Sequence, residues 1–129
     1  ALDVGEDRRI QEFVQQAKKL LPQEQKRILI TALNPDSRFQ VLRAKYHLLP
    51  LPAYASGFEF SQEPHNRVDY IIIVHPSYLD PGKKRPTPQQ AAARLRQKYS
   101  ALPKTLLATD VAILYQLDWG QQYSSVELQ

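Results

Sequence analysis

Cysteine and methionine are absent from this 129-residue chain, glycine occurs four times and tryptophan once. Without cysteine there is no disulfide, no thiol nucleophile and no thiolate metal site, and the redox compartment is left open. None of the four glycines falls in a Gly-x-Gly-x-x-Gly, Gly-x-x-x-x-Gly-Lys or Gly-x-Ser-x-Gly spacing. The glycine-built phosphate loops and the nucleophile elbow are therefore excluded. Long apolar runs are missing as well. The longest uncharged one, Tyr70 to Val74, falls far short of the roughly 20 residues that cross a bilayer as a helix. Finally, no acidic residue lies between Asp80 and Asp110, where Lys83, Lys84, Arg85, Arg94, Arg96, Lys98 and Lys104 all fall. Such a segment suits the phosphates of a nucleotide, a nucleic acid or a lipid headgroup, although a solvated helix face behind a charged loop has the same composition.

What is present is enough apolar material, 43% of residues, for one core, and the length fits a single domain over residues 1–129. The chain opens on Ala1 and has no methionine, so it is expected to be a processed product or, preferably, a piece of a longer protein. Asp3, Glu6 and Asp7 stand where a signal peptide would carry basic residues, and no such peptide is read there.

Ile10, Phe13, Val14, Ala17, Leu20 and Leu21 recur at helical spacing and predict a helix over Glu6 to Leu21, ended by Pro22. A strand follows over Arg27 to Leu33, running into Asn34-Pro35-Asp36-Ser37. There Asn34 can cap a helix, Pro35 fits its first turn and Asp36 suits the positive end of its dipole. That helix, Pro35 to His47, is expected to present Phe39, Leu42 and Tyr46 inward. Pro50 and Pro52 then bracket a short extended piece ending near Tyr54. Residues 55–67 read as a loop, and Val68 to Val74 as the strongest strand, apolar enough for burial on both faces. Thr87-Pro88-Gln89-Gln90 reads as a capping box opening a helix to about Ala101, whose inward stripe is Ala92, Leu95, Tyr99 and Leu102. Lys104 to Ala108 and Val111 to Leu117 form a hairpin about Thr109-Asp110, and residues 120–129 are a polar tail expected to fray. The order of elements predicts a small three-layer, Rossmann-like α/β domain with a mainly parallel sheet and a C-terminal antiparallel hairpin.

If strands 27–33 and 68–74 are neighbours, their carboxyl ends bring Asn34, Asp36, Ser37 and Arg38 near His75, Ser77 and Tyr78. Open α/β sheets bind ligands at such a point. A histidine among carboxylates and hydroxyls has the means for acid/base or nucleophilic work, while capping and strand termination account for the same residues. His47, His65 and His75 are widely spaced and match no metal-ligand pattern, so no metal and no cofactor are expected. Arg43, Lys45, Tyr46 and His47 interleave basic and aromatic residues as nucleic-acid binders do. Tyr46 belongs to the inward stripe, however, and nucleic acid is not the expected partner.

The run Asp36-Ser37-Arg38-Phe39-Gln40-Val41-Leu42-Arg43-Ala44-Lys45-Tyr46-His47-Leu48-Leu49-Pro50, followed by Val68-Asp69-Tyr70-Ile71-Ile72-Ile73-Val74 and closed by Val111-Ala112-Ile113-Leu114-Tyr115-Gln116-Leu117, resembles a soluble C-terminal domain of polytopic membrane proteins. Those proteins are similar to membrane-embedded glycosyltransferases that use lipid-linked sugars. The resemblance spans about Lys26 to Leu117. It departs at Thr109-Asp110, where the pattern has a glycine-bearing turn, and at Lys83-Lys84-Arg85, which has no counterpart. It implies a non-catalytic accessory domain outside the bilayer, associated with the membrane portion of its own polypeptide or complex, on the extracytoplasmic side. No catalytic residue carries over. The competing expectation is a domain, cytoplasmic or not, that binds a phosphorylated small ligand or acts on it in the crevice. A third is a basic face meeting anionic lipid or RNA, which requires Lys83, Lys84, Arg94 and Arg96 to share one side.

Overall fold

Ile28-Leu29-Ile30 is apolar on both sides of its pleat, and the strand it forms is accordingly buried inside a sheet. The computed structural model describes residues 4–23, 26–33, 37–55, 67–77 and 82–120. In chain order these form α1 (Val4–Leu20), β1 (Ile28–Thr31), α2 (Arg38–Leu48), β2 (Tyr54–Ala55), β3 (Tyr70–Val74), α3 (Pro88–Tyr99), β4 (Leu102–Ala108) and β5 (Ala112–Asp118). The sheet runs β2-β1-β3-β5-β4. The first three strands are mutually parallel, with Leu29 opposite both Tyr54 and Ile71, while β5 is antiparallel to β3 and to β4. The predicted neighbours 27–33 and 68–74 are thus the central parallel pair, each shorter than expected. Asp69, which the strand reading included, instead turns back to β1, where its carboxylate accepts from the Arg27 N–H at 3.0 Å.

Alternation along the strands divides the core. Ile28, Ile30, Tyr70, Ile72 and Val74 pack with Ile10, Phe13, Val14 and Ala17 of α1 and Val41, Ala44 and Leu48 of α2. Leu29, Ile71 and Ile73 pack with Ala91, Leu95 and Tyr99 of α3 and with Ile113, Tyr115 and Leu117 of β5. The connection β1-α2-β2 therefore leaves the sheet centre in one direction with its helix on one face. The connection β3-α3-β4 leaves in the other direction with its helix on the opposite face. The chain thus changes direction between β1 and β3.

Two expected stripes need correction. In α1, Leu20 is exposed rather than inward, and Glu6, in the first turn, is buried. In α2 the expected inward residues Phe39, Leu42 and Tyr46 are 60%, 47% and 58% exposed, and the buried side is Gln40, Val41, Ala44 and Leu48. At about 100° per residue the two sets lie on opposite sides of one helix, and the side with Val41, Ala44 and Leu48 is the one packed into the core. Ala44 lets α2 approach β1 and α1 closely, which a row of aromatic side chains would prevent. Helix α2 also starts later than expected: Ser37, not Asn34, is at its N-cap, and its side chain makes no cap bond.

The Thr87 capping box is present as predicted, with Gln90 N–H donating to the Thr87 hydroxyl at 3.1 Å and Thr87 N–H donating to the Gln90 side chain at 2.9 Å. The inward stripe of α3 is Ala91, Leu95 and Tyr99, with Ala92 half-buried, and the helix ends at Ser100, whose φ of 37° turns the chain into β4. Leu102, expected on that stripe, begins β4 instead. The predicted hairpin is β4-β5. The Thr109 hydroxyl accepts from the Val111 and Ala112 N–H groups, building the turn that lacks a glycine. A register irregularity between Thr105 and Leu107 interrupts β4. The tail expected from residue 120 lies, beyond Gly120, outside the described residues.

Candidate functional site

The carboxyl ends of β1 and β3 open on two concavities, one on either side of His75. The larger, a cleft of about 600 Å³ on the α3 side, is lined by Leu33, His75, Pro76, Lys84, Arg85, Gln90 and Arg94 among others. The first turns of α3 and the 82–87 segment supply its cations. The Arg85 guanidinium donates to the Pro76 carbonyl at 3.2 Å, which holds it across the end of β3. Among the described residues no carboxylate lines this cleft. The smaller cavity, about 20 Å³ and so of a size for one water, lies towards α1 and α2, between Glu6, Arg9, Gln40, His75, Arg85 and Asp110.

His75 is 5% exposed, and its N–H main chain is tied to the Val111 carbonyl at 2.9 Å. Among the described residues its Nδ1 has no hydrogen-bond partner. Burial pushes its imidazole pKa below the ordinary histidine value, and the nearby Arg85 pushes it further down, so the ring is neutral at pH 7. Around it, three other buried polar atoms also lack a partner among the described residues: Thr31 Oγ1 at the end of β1, Ser37 Oγ at the start of α2 and Gln40 Oε1 in its first turn. A buried hydroxyl or imidazole nitrogen without a partner is rare in folded proteins, and four at one end of a sheet mark that end as polar by construction. Tyr99, the remaining such group, lies in the α3 core.

A carboxylate network closes the α1 side. Glu6 accepts from Gln40 Nε2 at 3.0 Å and from the Ser77 hydroxyl at 2.9 Å, joining α1, α2 and the segment after β3. Arg9 pairs with Asp110, whose carboxyl is held below its usual range by that guanidinium. Asp7 is held down to about 2, chiefly by Arg43, whose Nε and Nη2 reach it at 2.7 and 3.0 Å, and further by His47 at 3.0 Å, against the opposing effect of its burial.

Comparison with family models, curated proteins and solved structures finds no match for this chain. The site is therefore read from its own residues.

Of the residues expected in the crevice, His75 lines it, and Ser77 and Ser37 lie at the same end of the sheet. Ser77 is directed to Glu6, and Ser37 is buried without a partner among the described residues. Arg38 is exposed on the first turn of α2 and does not line the cleft. Asn34, Asp36 and Tyr78 lie outside the described residues. Of the basic set, Lys84, Arg85 and Arg94 line the cleft; Lys83, Arg96 and Lys98 do not. Arg94 and Arg96, both exposed, are two residues apart on a helix and so leave it about 200° from one another. Lys98 lies instead over the ring of Tyr99, 5.8 Å from its centroid.

The acid/base or nucleophilic grouping that these residues had the means for is not assembled among the described residues, since the Ser77 hydroxyl bonds a carboxylate rather than the imidazole. No group of three or more metal-ligating side chains occurs among them either. Sequence reasoning missed Glu6, Thr31, Gln40 and Gln90. Gln90 was legible as a cap partner, but nothing in its neighbourhood marks a first-turn glutamate as buried.

Proposed function

We propose that this chain binds a small anionic ligand, bearing phosphate or carboxylate, in the cleft outside the carboxyl ends of β1 and β3. The observation that carries the reading is the convergence of Lys84, Arg85 and Arg94 on one cleft, beside a buried histidine whose Nδ1 has no partner among the described residues. The proposal includes a three-layer, Rossmann-like arrangement, because a reversal of connection between β1 and β3 is where open α/β sheets hold ligands. In this reading Arg85 and Arg94 meet the charge, the neutral imidazole of His75 contributes one directional hydrogen bond, and no residue is assigned a catalytic role. The chain departs from phosphate-loop proteins in relying on cationic side chains rather than glycine backbone.

Calorimetry and thermal shift against pyrophosphate, nucleotides and sugar phosphates test it. Saturable binding that weakens with added salt is expected. Arg85→Ala and Arg94→Ala should each lose about tenfold in affinity, the worth of one charge-assisted hydrogen bond, and Arg96→Ala should lose none. The absence of any shift across the panel would remove the reading.

A second reading, favoured by the outward apolar stripe of α2, is an accessory domain working beside a membrane-embedded portion of its own polypeptide or complex. Among the described residues no helix is long and apolar enough to cross a membrane, so that portion would be a separate segment. An antibody against this domain should then recover a much larger native species confined to membranes. Recovery of a soluble species of 14.9 kDa would discard this reading.

A further inference from the structure

We infer that the outward face of α2 docks on an anionic lipid surface, a role separate from the crevice. Phe39, Leu42 and Tyr46 are spaced three and four residues apart, and together they occupy about 60° of the helix circumference. Leu49, at the C-cap, continues the row and is 55% exposed. A row of four large apolar side chains, each about half exposed, is unusual on a surface that needs only to be wet.

The charges beside the row choose its occupant. Arg38 and Lys45, both exposed, flank it on one side and Arg43 on the other, by the same helical geometry. From Arg38 to Ala55 the sequence has no acidic residue. The described carboxylate that reaches α2 from this quarter is Asp7, which pairs Arg43 and His47 and leaves Arg38 and Lys45 to face outward. The Lys18 ammonium, donating to the Leu49 carbonyl at 2.8 Å, adds another positive charge at the end of the row.

An apolar stripe with cationic margins is the composition of a helix lying in the plane of a membrane interface: apolar side chains enter the acyl boundary while the cations meet phosphate. Tyr46 suits that depth, with an apolar ring and a polar tip, and the Arg43 guanidinium lies 4.6 Å from its ring centroid. Nucleic acid fits less well, since Leu42 and Leu49 offer no planar surface on which a base could stack.

Co-sedimentation of the full chain with vesicles of neutral phosphatidylcholine, and of the same lipid with about a third phosphatidylglycerol, tests the inference. Binding to the anionic vesicles alone is expected. Arg38→Glu with Lys45→Glu should weaken it at least tenfold, and Phe39→Ser with Leu42→Ser should abolish it while thermal melting stays near wild type. Lys84→Ala with Arg85→Ala should leave it unchanged, which separates this face from headgroup capture in the crevice. Phe39→Trp should show a blue-shifted emission on binding. No binding to anionic vesicles by the folded chain overturns the inference, as does binding that survives Phe39→Ser with Leu42→Ser. Self-association, or capture of an acidic peptide, that depends on these residues while vesicles are ignored would also overturn it. A native species confined to membranes alongside a domain that ignores vesicles would defeat the lipid contact and leave the accessory reading standing.

Discussion

His75 and Asp7 respond to acid in different ranges, and the reasons lie in their immediate neighbours. The folded-state pKa of His75 is depressed by burial and by Arg85, so below about pH 6.5 the unfolded chain takes up a proton that the folded chain refuses. Its contribution to stability is whole above that pH and falls as the pH drops towards the folded value. Thermal melts of wild type should lose stability between pH 7 and 5, and His75→Gln should flatten that part of the profile. Asp7 acts lower. Its carboxyl is held to about 2 from 3.8, so the stability it supplies through Arg43 is complete above about pH 4 and fades as the pH falls to 2. At neutral pH Asp7→Asn should cost about 1 kcal/mol, a modest figure because Arg43 is 40% exposed and the pair is partly screened by water. Chemical denaturation at pH 7 and pH 3 measures both parts, and equal losses at the two would contradict the assignment.

At the scale of elements, the strands and α3 were legible because their signals are local. A β-branched run such as Tyr70 to Val74 excludes a solvated face, and Thr87-Pro88-Gln89-Gln90 carries both halves of a reciprocal cap in four residues. Helix α2 was misread by half a turn, since its large side chains follow helical spacing as regularly as its small ones do. Nothing in the helix alone says which set meets β1 and α1. That choice is settled by how near the backbones must come, through Ala44, Val41 and Leu48. The difference is measurable: Phe39→Ser should change stability by no more than about 0.5 kcal/mol, as at a surface position, whereas Leu95→Ala in α3 should cost about 2–5 kcal/mol. Urea titration of the two variants decides it, and a large loss at Phe39 would restore the original stripe.

For the molecule as a whole, β1 and β3 are neighbours as the crevice reading required, but the lining of the cleft beyond their ends was only half legible. Lys84, Arg85 and Arg94 stood out as charges, yet the sequence could not separate Arg94 from Arg96 by which one a cleft would use. That is a question of where α3 crosses the sheet. Glu6 was invisible as a buried group because its partners, Gln40 and Ser77, are 34 and 71 residues away. Ligand occupancy should act on the whole fold: at a hundredfold excess over its dissociation constant, a bound anion raises unfolding free energy by about 2.7 kcal/mol. At the same ligand concentration Arg85→Ala, tenfold weaker, should keep only about 1.4 kcal/mol of that rise.

The sheet ends in two dissimilar outer strands. β2 has two residues, too few to template another chain, while β4 is seven residues long, opens with Leu102 and Pro103, carries Lys104 and is broken in register before Leu107. A proline offers no N–H, a lysine resists stacking against its like, and a register break twists the free backbone away from a straight partner. Among the described residues neither border offers a long, regular edge, so strand addition is a poor route for this sheet to meet a second copy of itself.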